Sequence, residues 1–493
     1  RPARVAETFL ELMKTSVWQH RFWQAVDRFQ SPLTRWAIVG GVLLISAAVG
    51  YLAGRERLDP LLILGGVLAA LGGLALYRLG RFEYGLLLLL GAAAFLGPVS
   101  IPTGTQSRIP ISLVLTIGLI ALWVLPYWTT RRAAPLQPAS VNAPIFAFVI
   151  VNVLSYIWGN VFRDAVVYTW NSFPVVQIAA LMVNCLLPLL VILLANKMTH
   201  ERWLQALTWL MIGFGVHAIL AIFFNLPTIA LIERGAGGLF AMWVAALALG
   251  QALFDERAPR WRRALLLALV AAWIFRNFIQ SRIWLSGWIP LFVALGVIVF
   301  LRSRALFVVV ALAAMVYVAV DFDYYYQEVF VANADEGGLQ RLELWQKNLQ
   351  HVANHPWLGM GPAGYAVYNM TYHPEDARST HNNYFDILAQ TGVIGSAVFL
   401  WLLLTMLVAL LRTYRLSAGR RDFAEAYAAA AVGGWAAALV AMMLGDWVVP
   451  FAYNGTIAAF DHASYTWLFA GGAVALGRWL RDRSDHLSVV KLS

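Results

Sequence analysis

The chain has 493 residues, 60% of them hydrophobic and 13% charged, with a formal net charge of +10. A soluble domain carries roughly 25% charged residues, so this composition excludes the soluble globular classes and points to an integral membrane protein. Apolar runs of helical length exclude the short alternating strands of a membrane barrel, and a lone cysteine, Cys185, excludes a disulfide framework.

In chain order, residues 1–35 form a basic, mixed arm without the apolar core of a signal peptide. About fourteen apolar runs follow that are long enough to span a bilayer. They lie near 36–53, 61–77, 84–98, 110–127, 143–159, 174–195, 203–225, 237–254, 263–279, 284–301, 305–320, 392–411, 426–445 and 462–477. The predicted fold is all-α: a polytopic membrane protein with about 12–14 transmembrane helices and one large helical insertion. Its parts are the basic arm 1–35, transmembrane helices 36–320, a loop subdomain 321–391, transmembrane helices 392–477 and a tail 478–493.

Basic residues orient the bundle. With the N-terminus in the cytoplasm, the inner turns carry Arg78 and Arg81, Arg131 and Arg132, Lys197 and Arg202, the cluster Arg257 to Arg263, Arg302 and Arg304, and the group Arg412 to Arg421. Most of the 36 Lys and Arg then fall inside, as the positive-inside rule requires. The positive charge therefore reflects topology and contact with anionic membrane lipid, not nucleic acid. Both termini are expected in the cytoplasm and the 321–391 insertion outside. One outer loop, with Arg55 and Arg57, breaks the trend, and two further outer arginines stand isolated in short apolar turns, Arg234 and Arg282.

The insertion is polar in an apolar chain, so it sits in water or lines a cavity. Residues 338–354 read as an amphipathic helix with Leu342, Trp345, Leu349 and Val352 on its buried face. Arg341 lies in its first turn, where a cation opposes the helix dipole unless it meets an anionic ligand. Gly359 to Gly364 formally match a dinucleotide-binding glycine pattern, but no strand precedes them and Pro362 interrupts them. They read instead as a turn that lets two backbones approach closely. His351 and His355 have metal-ligand spacing but no third partner in sequence, so no metal site and no cofactor is assigned.

His381 differs from these. Ser379 or Thr380 can cap a helix that runs from Asn382 into the next span. His381 then sits at a helix N-terminus, where the dipole favours the neutral, proton-accepting ring and a nearby phosphate. Outer arginines near a neutral histidine suit a lipid-linked pyrophosphate: the guanidinium fork matches phosphate oxygens, and a base can activate an incoming hydroxyl.

Arg341 with Trp345, the stretch His355 to Gly361 (HPWLGMG), His381-Asn382-Asn383-Tyr384 and Gln390 to Gly395 (QTGVIG) together resemble the O-antigen ligase and O-antigen polymerase superfamily of bacterial membrane glycosyltransferases, most closely the ligases. Ser281-Arg282 and Arg234-Gly235 are similar to two further arginine motifs of that family. The Pro-Asn that often follows the first of these is absent here, where the chain reads Gly237 to Trp243. The resemblance implies a multi-pass inner-membrane enzyme with its active site on the periplasmic face. It would move a glycan from undecaprenyl pyrophosphate to an acceptor hydroxyl, that of the lipid A-core in a ligase, without a metal and with inversion. His381, Arg282 and Arg234 would be catalytic, and Arg341, Asn382 and Tyr384 would bind substrate. Polymerase and protein O-oligosaccharyltransferase are the alternatives within the superfamily. A polysaccharide flippase or transporter is the alternative of another class, disfavoured because polar groups gather at one face rather than at the bilayer midplane.

Overall fold

The structure is a computed structural model. It describes residues 82–95, 100–102, 108–130, 136–171, 173–225, 238–281, 285–320, 322–327, 339–374, 379–452 and 456–492. The chain divides into two compact units, Arg1–Ala75 with Ala121–Ala139, and Leu76–Ile120 with Ser140–Ser493. Most described residues belong to the second unit, and the packing below is within it.

The helices are α1 (Glu83–Phe95), α2 (Ile111–Thr130), α3 (Asn142–Val161), α4 (Phe173–Lys197), α5 (Glu201–Phe224), α6 (Gly238–Phe254), α7 (Arg260–Ile274), α8 (Leu285–Arg302), α9 (Arg304–Val320), α10 (Phe322–Tyr325), α11 (Leu339–Asn354), α12 (Gly364–Tyr372), α13 (Asn383–Ser417), α14 (Phe423–Leu444) and α15 (Phe460–Leu492). The protein is an all-α polytopic membrane protein. Among the described residues α3, α4, α5, α8, α13 and α14 are long and apolar enough to cross a membrane. The apolar runs at 36–53 and 61–77 lie outside the described residues, and a helix occupies each later run. One element not foreseen is a short antiparallel pair, Ser100–Pro102 with Arg108–Pro110.

The bundle centres on α14, which is rich in alanine and glycine and buried along most of its length. Asp422 caps its start, accepting from the N–H groups of Ala424 at 3.1 Å and Glu425 at 3.4 Å. Small residues let neighbouring helices close in. A Cβ on Gly434 would lie 2.5 Å from the Trp243 ring of α6. Trp243 is itself fully buried and gives its indole N–H to Thr466 Oγ1 of α15 at 3.0 Å.

The segment that contains α11 and α12 is fixed to the bundle by an interlock at a break in α13. Gly392 stands inside that helix with φ 66° and ψ −168°, a region open essentially only to glycine. The break releases carbonyls and N–H groups that an unbroken helix would pair. The turn from Pro356 to Gly361 takes them up. Met360 N–H bonds Ala389 O at 3.0 Å and Gly361 N–H bonds Gln390 O at 2.9 Å, while Val393 N–H bonds Pro356 O at 2.8 Å. Gln390 Oε1 accepts from Ala363 N–H at 3.1 Å, and Ser155 Oγ of α3 lies 2.6 Å from both Leu358 O and Gln390 O. The glycine-rich turn therefore serves close backbone approach, as its sequence suggested.

Candidate active site

The site is built on the turn Ser379 to Asn382 at the foot of α13. Asn382, not Ser379 or Thr380, is the cap: its Oδ1 accepts from Tyr384 N–H at 3.0 Å and Phe385 N–H at 3.4 Å. The helix therefore starts at Asn383, one residue later than the sequence suggested, and His381 precedes the cap. Ser379 and Thr380 shape the turn instead. Ser379 Oγ accepts from His381 N–H at 3.0 Å, and Thr380 Oγ1 lies 2.5 Å from Asp386 Oδ1.

His381 has φ 51°. A non-glycine residue in the left-handed region costs on the order of 1–3 kcal/mol and persists only where its surroundings over-determine it. Those surroundings are dense. Thr380 N–H points to Tyr365 Oη at 3.3 Å, and Thr380 O accepts the Trp345 indole N–H at 2.8 Å. Tyr365 donates to Asp386 Oδ1 at 2.6 Å and stacks on Phe451 at 4.3 Å. Burial, with Asp386 beside it, pushes the Tyr365 hydroxyl well above its usual range and keeps it a donor.

The His381 side chain is 47% exposed, and behind it stands Asp446, whose Oδ1 is 3.9 Å from His381 Nδ1. At that separation the contact is one of charge, formed when the ring is protonated. Burial raises the Asp446 carboxyl above its ordinary range, opposed by the Phe451 N–H, which donates to Oδ2 at 3.2 Å, and by the His381 ring. The loop that carries Asp446 is clamped by Asn383. Its Nδ2 donates to Val449 O at 2.6 Å, and its Oδ1 accepts from Val448 N–H at 3.1 Å and Val449 N–H at 3.3 Å. Asp446 was missed in the sequence. It is an isolated acid directly after a span, the kind of signal that singled out Arg234 and Arg282.

The other expected site residues divide. Asn382, besides capping α13, points its Nδ2 to Met443 O at 3.4 Å, and Tyr384 donates to Leu439 O at 2.9 Å. Both side chains thus engage the protein itself and hold the turn. Arg341 is partly exposed near the start of α11, with no hydrogen bond or ion pair among the described residues. Arg234 and Arg282 lie outside the described residues. Just before Arg282, Ser281 Oγ accepts from Arg276 Nη1, and Arg276 sits in a π-helical turn, Phe275–Ile279, that ends α7.

The buried face of α11 differs from the one expected. Leu342 is 50% and Leu349 42% exposed, whereas Leu344, Asn348, His351 and Val352 are buried. The face is rotated because its partners are polar. Asn348 Oδ1 accepts from Asn369 Nδ2 at 3.4 Å, and the His351 ring lies against Tyr368, Tyr372 and His373. His355 Nε2 is 3.3 Å from Asp164 Oδ1. Among the described residues no three His, Cys, Asp or Glu side chains are grouped to hold a metal.

Residues 262–400 match the sequence profile of the family described as O-Antigen ligase. The chain carries an O-antigen ligase domain. The matched segment runs from α7 to the middle of α13, and so takes in Arg282, Arg341, His381 and the interlock at Gly392. The ligase domain's match stops short of Arg234 and Asp446. No curated protein matches the chain. The match supports a relation to the O-antigen ligase superfamily of glycosyltransferase-like enzymes, a family that suggests lipid-linked glycan substrates.

Proposed function

We propose that the protein is a bacterial inner-membrane glycosyltransferase that moves a glycan from undecaprenyl pyrophosphate to an acceptor hydroxyl, that of the lipid A-core, as an O-antigen ligase. The observation that carries this reading is His381: held at φ 51° by the turn around it, half-exposed, and backed by Asp446. The ring takes the proton from the acceptor hydroxyl. The hydroxyl oxygen then attacks the anomeric carbon from the face opposite the pyrophosphate, the carbon–oxygen bond to the carrier breaks, and the pyrophosphate leaves with the electron pair, so the sugar carbon inverts. Asp446 stabilises the imidazolium that forms. Arg234, Arg282 and Arg341 hold the pyrophosphate and stabilise the charge that develops on it, with no metal required. The distribution of basic turns supports a topology with both termini in the cytoplasm and this site on the periplasmic side.

The test is reconstitution in vesicles with lipid-linked glycan, offering lipid A-core and free glycan as competing acceptors. Glycan on the lipid A-core is expected. Extension of free glycan alone would assign a polymerase instead, and transfer to neither acceptor would overturn the glycosyltransferase reading.

A further inference from the structure

Trp345 joins the two parts of the site. It lies one helical turn after Arg341 on α11, so the two side chains share a face of that helix. Its indole N–H donates to Thr380 O at 2.8 Å, and its ring stacks on Phe385 of α13 at 4.9 Å with an interplanar angle of 19°. Thr380 O belongs to the peptide bond that leads directly into His381. That bond's orientation fixes φ of His381, the residue in the left-handed region. Of the groups that hold Thr380, Tyr365 and Asp386 bind its N–H and hydroxyl. Among the described residues its carbonyl is held by Trp345. Trp345 thus holds the carbonyl side of the Thr380–His381 peptide, whose N–H side is held by Ser379 Oγ at 3.0 Å, and ties that peptide to the helix that carries Arg341.

We infer that Trp345 is a positioning residue for transfer, holding the Thr380–His381 peptide so that the His381 ring faces the acceptor hydroxyl while Arg341 stays in register with it. This inference rests on the glycosyltransferase reading. Trp345 touches no reacting atom, so its loss leaves the pyrophosphate contacts in place and misaligns only the base. Misplacement by about 1 Å can lower a rate roughly a hundredfold. The helix is also docked through Leu344, Asn348 and Val352, which are buried.

Trp345→Phe keeps a ring over Phe385 and removes the donor. In the full-length protein reconstituted with lipid-linked glycan and lipid A-core, kcat is expected to fall roughly 10- to 100-fold. KM for the lipid-linked glycan should stay within about twofold, since uniform binding is untouched. Amide hydrogen exchange in residues 379–382 is expected to speed up, with unchanged exchange across α14. An unaltered kcat together with unaltered exchange at 379–382 would overturn the inference, as would a rise in KM at constant kcat. The exchange measurement needs no substrate. If the wild-type protein transfers no glycan, the function proposed above fails while the exchange result still decides what Trp345 holds.

Discussion

His381 Nδ1 and Asp446 Oδ1 stand 3.9 Å apart, joining the foot of α13 to the loop that follows α14. A carboxylate there favours the protonated ring, which a base must become once it has taken the proton from the acceptor. His381→Ala is expected to fold, to bind the lipid carrier, and to lose transfer by roughly two to four orders of magnitude. Asp446→Asn keeps an acceptor for the Phe451 N–H and should lose a smaller part of that factor. The double variant should be little worse than His381→Ala, because the two residues act as a unit. Steady-state rates of the three variants decide this, and a near-normal rate for His381→Ala would remove the base.

Arginine and lysine separate the fork from the charge. Arg282→Lys and Arg341→Lys keep the positive charge and lose the bidentate geometry that fits phosphate oxygens. Both are expected to lower kcat/KM. Full activity in the Arg282→Lys variant would show that a point charge suffices there.

The interlock at Gly392 can be tested by a single methyl group. A Cβ at that position would lie 2.4 Å from Trp357 O, and the backbone angles admit essentially only glycine. Gly392→Ala is expected to destabilise the protein by at least about 1–3 kcal/mol. Thermal unfolding in detergent reads this as a lowered midpoint, and a midpoint equal to wild type would mean that the break in α13 is dispensable.

His351 gives the α11–α12 contact a pH dependence. Burial, and then the neighbouring His373, hold its pKa below the usual value. The Asn369 amide and Asp164 oppose that shift, His355 adds to it, and the rings of Tyr368 and Tyr372 cover the imidazole. The folded state therefore binds fewer protons at this site than the unfolded chain. Stability is full above the unfolded histidine pKa of about 6.5 and falls as the pH drops through it toward the lower folded value. His351→Gln should flatten that part of the stability curve between about pH 7 and pH 5. Unfolding midpoints of both proteins across that range test it; equal slopes would place the acid sensitivity elsewhere.

The sequence by itself determined the bundle. Long apolar runs can satisfy their backbone groups in a bilayer only as helices, and a helix stands at every run within the described residues. It also singled out His381 and the glycine turn, because a histidine beside a helix start and a glycine cluster after a proline carry local signals. Local signals could not give α11 its rotation. Leu342 and Leu349 look like core residues, and what buries Asn348 and His351 is the polar and aromatic face of the next helix, α12, with Asn369 and Tyr368. Nor could they place Asp446 beside His381, since that proximity comes from Asn383 clamping the loop after α14. Only the tertiary structure decided that the glycine turn and the break at Gly392 are two halves of one joint. Each half exposes backbone groups whose hydrogen bonds only the other can complete.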